Sequence, residues 1–158
     1  MKSQFFSAEA IFNISLFTIL FMLVLFTLNN KSREFTEATQ EDYLIVNSNN
    51  IINLLTLSAG YPSNWSSANF IDLGLCDYPK IISNNKLQSF ISLLNNNNSL
   101  VIESFSIDAY KIYFSLEYLN GTKIAEYKPK GNVKNAMVTK RKVLYNNYGA
   151  IMKVGVMN

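Results

Sequence analysis

The chain has 158 residues and a mass of 17.9 kDa; 49% of it is apolar, 13% aromatic and only 16% charged, with a formal net charge of +3. That length allows one compact domain plus an accessory segment and argues against two full-sized cores, while the apolar content excludes a disordered chain. With no His and a single Cys, the sequence offers no His-based acid/base triad, no Cys/His zinc site and no intrachain disulfide.

From Ala10 to Leu28 the run AIFNISLFTILFMLVLFTL carries no charge and is interrupted only by Asn13, Ser15, Thr18 and Thr27. As a helix it covers ~28 Å, close to the ~30 Å hydrocarbon core of a bilayer. A buried helix in a soluble protein of this size is seldom apolar on every face. The residues that follow, Asn29-Asn30-Lys31-Ser32, contain no small-residue cleavage site, so the run is expected to persist as an anchor. Glu9 sits at its membrane-proximal edge, where a carboxylate is costly to desolvate and calls for a partner. The plainer reading of Glu9 is a residue snorkelling in the headgroup layer of an uncut single-span protein. Lys2 on one side and Lys31 and Arg33 on the other nearly cancel, so basic residues alone do not orient the span.

The start Met1-Lys2-Ser3-Gln4-Phe5-Phe6-Ser7-Ala8-Glu9, running straight into this apolar helix, resembles the processing region of type IV prepilins, in particular archaeal pilin-like proteins with a class III signal peptide. The resemblance implies a membrane-embedded prepilin peptidase that cuts before the apolar stretch, with Lys2, Ser3, Gln4 and Glu9 matching in type the basic residue, small residue, Gln start and Glu of the family motif. Cutting between Ser3 and Gln4 makes Glu9 the sixth mature residue. Cutting between Gln4 and Phe5 makes it the fifth but leaves Gln where the family usually has a small residue, and the first site is favoured. The resemblance further implies that Glu9 pairs with the N-terminal ammonium of a neighbouring subunit.

On this resemblance residues 1–3 are a leader, 4–30 a transmembrane and polymerisation helix, and 31–158 an extracytoplasmic pilin-like domain. The implied function is that of a structural subunit, major or minor, of a pilus-like surface filament. It implies no enzyme activity and no cofactor. The implied partners are the prepilin peptidase, other copies or other pilins, and membrane lipid before assembly. The alternative is an uncleaved single-span protein whose outer domain binds a ligand or partner. A carboxylate-only enzyme such as a glycosidase needs two acids facing one cleft, and nothing in the sequence brings two together.

Beyond the span, KSREFTEATQEDYLIVNSNNIINLLTL has helical spacing, with Phe35, Ala38, Ile45 and Ile52 on one track and Leu44, Ser48, Ile51 and Leu55 on an adjoining one. Joined to the span, this predicts one helix of roughly fifty residues, ~80 Å long, stopped near Leu57 by Gly60 and Pro62. Gly60-Tyr61-Pro62-Ser63-Asn64-Trp65 then reads as a turn with an aromatic anchor. With the later Gly74-Leu75 and a Lys86-Leu87 helix, it is similar to a pattern in ectodomains of archaeal pilin-like proteins, where Trp65 is expected to be a structural plug. Ser83 offers an N-cap for a helix over 84–95, with Leu87, Phe90, Ile91 and Leu94 on one face. Residues 99–107 fit either a short helix or a strand.

From Tyr110 the period changes to two: Tyr110, Ile112, Phe114, Leu116 and Tyr118 alternate with the residues between them. Asn120-Gly121 signals a hairpin to 122–127, and 136–145 and 149–157, separated by Asn146-Asn147, supply two further strands. The expected fold class is α+β, a long N-terminal helix packed on an antiparallel meander of about four strands.

The charges are segregated along the chain: residues 31–109 hold four basic and eight acidic side chains, residues 110–158 nine basic and two acidic. Either an acidic surface of one copy meets a basic surface of the next, or a basic face meets a polyanion, or the charges are merely solvated. No nucleic-acid motif accompanies the cluster Lys140, Arg141 and Lys142. Asn30, Asn64, Asn97 and Asn120 begin N-x-S/T sequons and are candidate glycosylation sites, in a chain whose 21 Asn make chance matches common. Cys76 is expected to be buried rather than to bridge subunits. Asp72, Asp77 and Asp108 fit no metal-ligand spacing, and no metal is assigned.

Overall fold

A computed structural model describes residues 2–107, 110–133 and 135–158, with side chains from Ala8 onward. The chain divides into two units, Met1–Gln40 and Glu41–Asn158. Helix α1 (Lys2–Leu57) is uninterrupted and ends where the sequence places its stop. In the first unit every described side chain from Ala8 to Thr39 is exposed. Phe35, expected on a core-facing track, leaves 75% of its surface open, and Ala38 is exposed too.

In the second unit the last turns of α1 form one wall of the core. Leu44, Ile51, Ile52 and Leu55 are buried, so the adjoining track of the sequence pattern is the one that packs, joined by Ile52 alone from the other. Two hydroxyls share that buried face and both are satisfied. Ser48 Oγ donates to Ile45 O at 3.1 Å and lies 2.8 Å from Thr139 Oγ1, whereas Thr56 Oγ1 donates to Ile52 O and accepts from Arg141 Nη1 at 3.1 Å. The carbonyls left open at the helix end find tertiary donors. Leu55 O accepts from Leu75 N at 3.0 Å and Thr56 O from Lys80 N at 2.7 Å.

The segment that supplies those donors turns through a tight corner. Trp65 is 3% exposed, and its Nε1 donates to Gly74 O at 2.7 Å while its ring meets Phe70 edge-on. Gly74 runs so close to Gly60 N and Ser58 O that a Cβ there overlaps backbone. Next come β1 (Cys76–Tyr78), β2 (Ile81–Ile82), α2 (Asn84–Asn96) and α3 (Asn98–Ser104). The ambiguous stretch after Asn98 is therefore helical. Ser83 occupies the α2 N-cap with its carbonyl, which accepts from Leu87 N, and makes no side-chain cap bond.

Strands β3 (Lys111–Tyr118), β4 (Lys123–Tyr127), β5 (Ala136–Tyr145) and β6 (Tyr148–Met157) stand at the predicted positions, and the fold is α+β. Two expectations are corrected. The sheet has six strands, ordered β1-β2-β5-β6-β3-β4, because three- and two-residue strands are too short to show a period. Nor is it a meander: the hairpins β3–β4 and β5–β6 are joined through β6 beside β3, paired from Lys111↔Met157 to Tyr118↔Ala150. These two strands carry Ile112, Phe114, Leu116, Met152, Val154 and Val156, all fully buried, so they take the centre. Strand β4, half-buried from Ile124 to Tyr127, takes an edge guarded by the exposed Lys123 and Lys128. The pairing of β2 with β5 is parallel, the rest antiparallel. Asn146 and Asn147, at φ of 49° and 65°, make the tight β5–β6 turn that their side chains tolerate.

The corner generates a paired prediction. Gly74→Ala forces backbone apart and is expected to cost about 3 kcal/mol. Gly121→Ala meets no atom within 4 Å and costs only the strain of φ +86°, about 1 kcal/mol. Urea denaturation of the full chain in detergent measures both, and equal losses would contradict the close approach at Gly74.

Candidate functional site

The most unusual surface of the molecule is the first half of α1. Every large apolar side chain from Ile11 to Leu28 is exposed, on all sides of the helix. Leaving one such side chain in water forgoes ~1.5–3 kcal/mol, so the run as a whole forgoes tens of kcal/mol unless something apolar covers it. Its hydroxyls are already satisfied inside the helix: Ser15 Oγ donates to Ile11 O, Thr18 Oγ1 to Ile14 O and Thr27 Oγ1 to Val24 O, each at 2.8 Å. Such back-bonding lets a hydroxyl enter hydrocarbon without an unpaired donor. The helix is long and apolar enough to cross a membrane. Glu9 is exposed on α1 just before the apolar run. Ser3, Gln4 and Phe5 lie in α1, and their side chains fall outside the described set.

A second surface is the outer face of the sheet. Strand alternation splits the Lys140-Arg141-Lys142 cluster: Arg141 turns inward to Thr56, whereas Lys140 and Lys142 are exposed on the other face. Across the same face Lys153 pairs with Glu117. Lys123 and Lys128 converge on Glu126 at 2.8 and 3.4 Å. The hydrogen bond from Lys123 holds the Glu126 carboxyl below its ordinary range, and the same bond raises the ammonium of Lys123.

At the hairpin end of the sheet an open groove of about 430 Å³ is lined by Pro79, Lys80, Ile81, Leu119, Lys142 and Leu144 among others. It adjoins, at Leu119 and Gly149, a hollow of about 520 Å³ bounded by Tyr118, Asn120 and Tyr148. Sequence reasoning missed this site because its walls come from the β1–β2 turn, the turn after β3 and the paired ends of β5 and β6, which become neighbours only through the strand order. The exposed Leu119 beside Asn120-Gly121 was the one local signal.

The other singled-out residues are dispersed. Asn30, Asn64, Asn97 and Asn120 are all exposed; Asn120 Oδ1 is held by Thr122 N at 2.9 Å in the turn. Asp77 lies 3.3 Å from the buried Lys86 ammonium, which also donates to Cys76 O, and Asp72 bridges to Tyr61. Asp108 lies outside the described residues. No group of three or more His, Cys, Asp or Glu is placed to hold a metal ion among the described residues. Cys76 is 1% exposed with Sγ 3.5 Å from Leu55 O, and burial pushes its thiol above the ordinary 9.0. Searches of family models, curated proteins and solved structures return no match to this chain.

Two outcomes follow from these environments. Cys76 is expected to resist a maleimide in the folded chain and to react on denaturation. As pH climbs past 9.0 the unfolded chain releases a proton that the folded one retains, so stability falls there, and falls less in Cys76→Ala. Leu20→Arg puts a charge near the middle of the span at a cost of about 2.5–3.5 kcal/mol, and is expected to move protein from the carbonate-resistant membrane fraction to the soluble or degraded pool; unchanged fractionation would argue that the run does not span.

Proposed function

We propose that this chain is a type IV pilin-like subunit, cut by a prepilin peptidase ahead of its apolar helix and assembled with other copies, or with related subunits, into an extracellular filament. The observation that carries the reading is the uncovered apolar surface of α1 from Ile11 to Leu28, set directly after the prepilin-like start and Glu9. A membrane satisfies that surface before assembly and neighbouring helices satisfy it afterwards. Glu9 then enters the apolar core together with the ammonium of an adjacent subunit, because either charge alone costs several kcal/mol there. The role is structural, and the chemistry of processing and assembly belongs to other proteins.

The groove at the hairpin end favours a second reading, an uncut single-span protein whose outer domain binds a ligand. N-terminal sequencing of the native protein separates the two: the subunit reading expects Gln4 or Phe5 first, the second reading Met1. In cells that assemble the filament, Glu9→Gln is expected to reduce polymer about tenfold or more while leaving membrane insertion intact; polymer at the parent level would sink the pairing role.

A further inference from the structure

Where β5 turns into β6, one row of residues crosses four strands on the outer face of the sheet. Ile81 is in register with Leu144 and Leu144 with Gly149, and Leu119 N donates to Gly149 O at 3.3 Å. Partners in register share a face, as do residues two apart on one strand, so Lys142 stands on this face beside Leu144. Gly149 has no side chain, and a Cβ there would lie 2.8 Å from Leu119 Cδ1. Its place in the row is the floor of a slot between Leu119 and Leu144, part of the open groove of about 430 Å³. That volume suits a small ligand. Leu119, Leu144 and Ile81 leave 62%, 46% and 42% of their surfaces open, so the chain itself does not fill the slot.

The charge beside the slot is of one sign. Lys80 and Lys142 line the groove, both exposed and neither in an ion pair among the described residues. Because β2 and β5 run parallel, Lys80 before Ile81 and Lys142 before Leu144 lie to the same side of the row. Among the described residues no carboxylate lines the groove, and Glu117, two positions before Leu119, is answered by Lys153. The backbone beneath is committed to the sheet: Leu144 N donates to Lys80 O at 2.8 Å, and Leu144 pairs with Gly149. A ligand rich in donors and acceptors, such as a sugar, a peptide or a nucleotide, gains few hydrogen bonds on this floor. An aliphatic chain that ends in one anionic group matches both parts, carbon on carbon and charge on two ammoniums.

We propose that the slot binds a long-chain aliphatic carboxylate, its chain over Gly149 between Leu119 and Leu144 and its head at Lys80 and Lys142. The proposal rests on the reading of this groove as a ligand site and names the ligand. It holds for a cut subunit and an uncut protein alike.

The test uses the full-length chain in phosphatidylcholine nanodiscs and a dodecanoate probe carrying a photoreactive diazirine on its chain, with labelled peptides located by mass spectrometry. Probe dissolved in the lipid labels the apolar run of α1 and serves as the internal reference for loading. Label is expected also at Ile81, Leu119 and Leu144, displaced by unlabelled dodecanoate but not by equal dodecanol, acetate or inorganic phosphate. Shortening the competitor is expected to weaken it about twofold per methylene. Lys80→Gln/Lys142→Gln is expected to cut the groove label about tenfold; both side chains are exposed, so the melting temperature stays at the wild-type value. Gly149→Val, whose added carbons fill the slot and first meet the flexible end of Leu119, is expected to cut the label several-fold with both lysines in place. Displacement by dodecanol as strong as by dodecanoate, or a double variant labelled like wild type, overturns the carboxylate and leaves a groove for some other apolar ligand. Displacement by acetate or phosphate as strong as by dodecanoate overturns the aliphatic chain. Label confined to α1 overturns the ligand-site reading and the proposal together, a failure distinct from the others.

Discussion

The structure depends on one constraint: a helix whose apolar surface from Ile11 to Leu28 has no cover within its own unit. Hydrophobic burial is roughly proportional to area removed from water, so this surface represents more unrealised free energy than a small domain's whole net stability of about 5–15 kcal/mol. The helix is long and apolar enough to cross a membrane, which would supply that cover. The back-bonded hydroxyls of Ser15, Thr18 and Thr27 fit such surroundings, since each donor is closed on the helix itself and needs nothing from water.

The second unit solves the reverse problem, how to seat the upper end of the same helix on a sheet. Most of the contact is apolar, but position is set by polar pins: Ser48 to Thr139, Thr56 to Arg141, and the carbonyls of Leu55 and Thr56 to the backbone of Leu75 and Lys80. A buried hydroxyl or open helix-end carbonyl tolerates few alternatives, so each pin selects one register where apolar packing alone accepts several. The corner at Gly60, Trp65 and Gly74 serves the same end, bringing the chain at Leu75 back to the helix terminus.

Charge in this chain follows topology as much as count. The cluster at Lys140, Arg141 and Lys142 looks uniform in the sequence, yet pleating sends its middle member into the domain as a structural donor and its flanks to solvent. On the helix, acidic residues dominate from Glu34 to Asp42, after Lys31 and Arg33. The result is a segregation of opposite charges, with Lys140 directly opposite Lys153 across the β5–β6 pair.

By itself the sequence determined the elements whose signals are local: the apolar run, the end of α1 near Gly60, the α2 face of Leu87, Phe90 and Leu94, the period-two strands and the turns at Asn120-Gly121 and Asn146-Asn147. Helix and strand periods and turn conformations are set by neighbours in the chain, which is why they were legible. Only the tertiary structure decided which α1 track packs, that β6 lies beside β3, that β1 and β2 extend the sheet, and that Lys80, Lys142, Leu119 and Leu144 share a groove. Those outcomes depend on which apolar faces compete for the centre of the core, a contest among distant segments that no local window records.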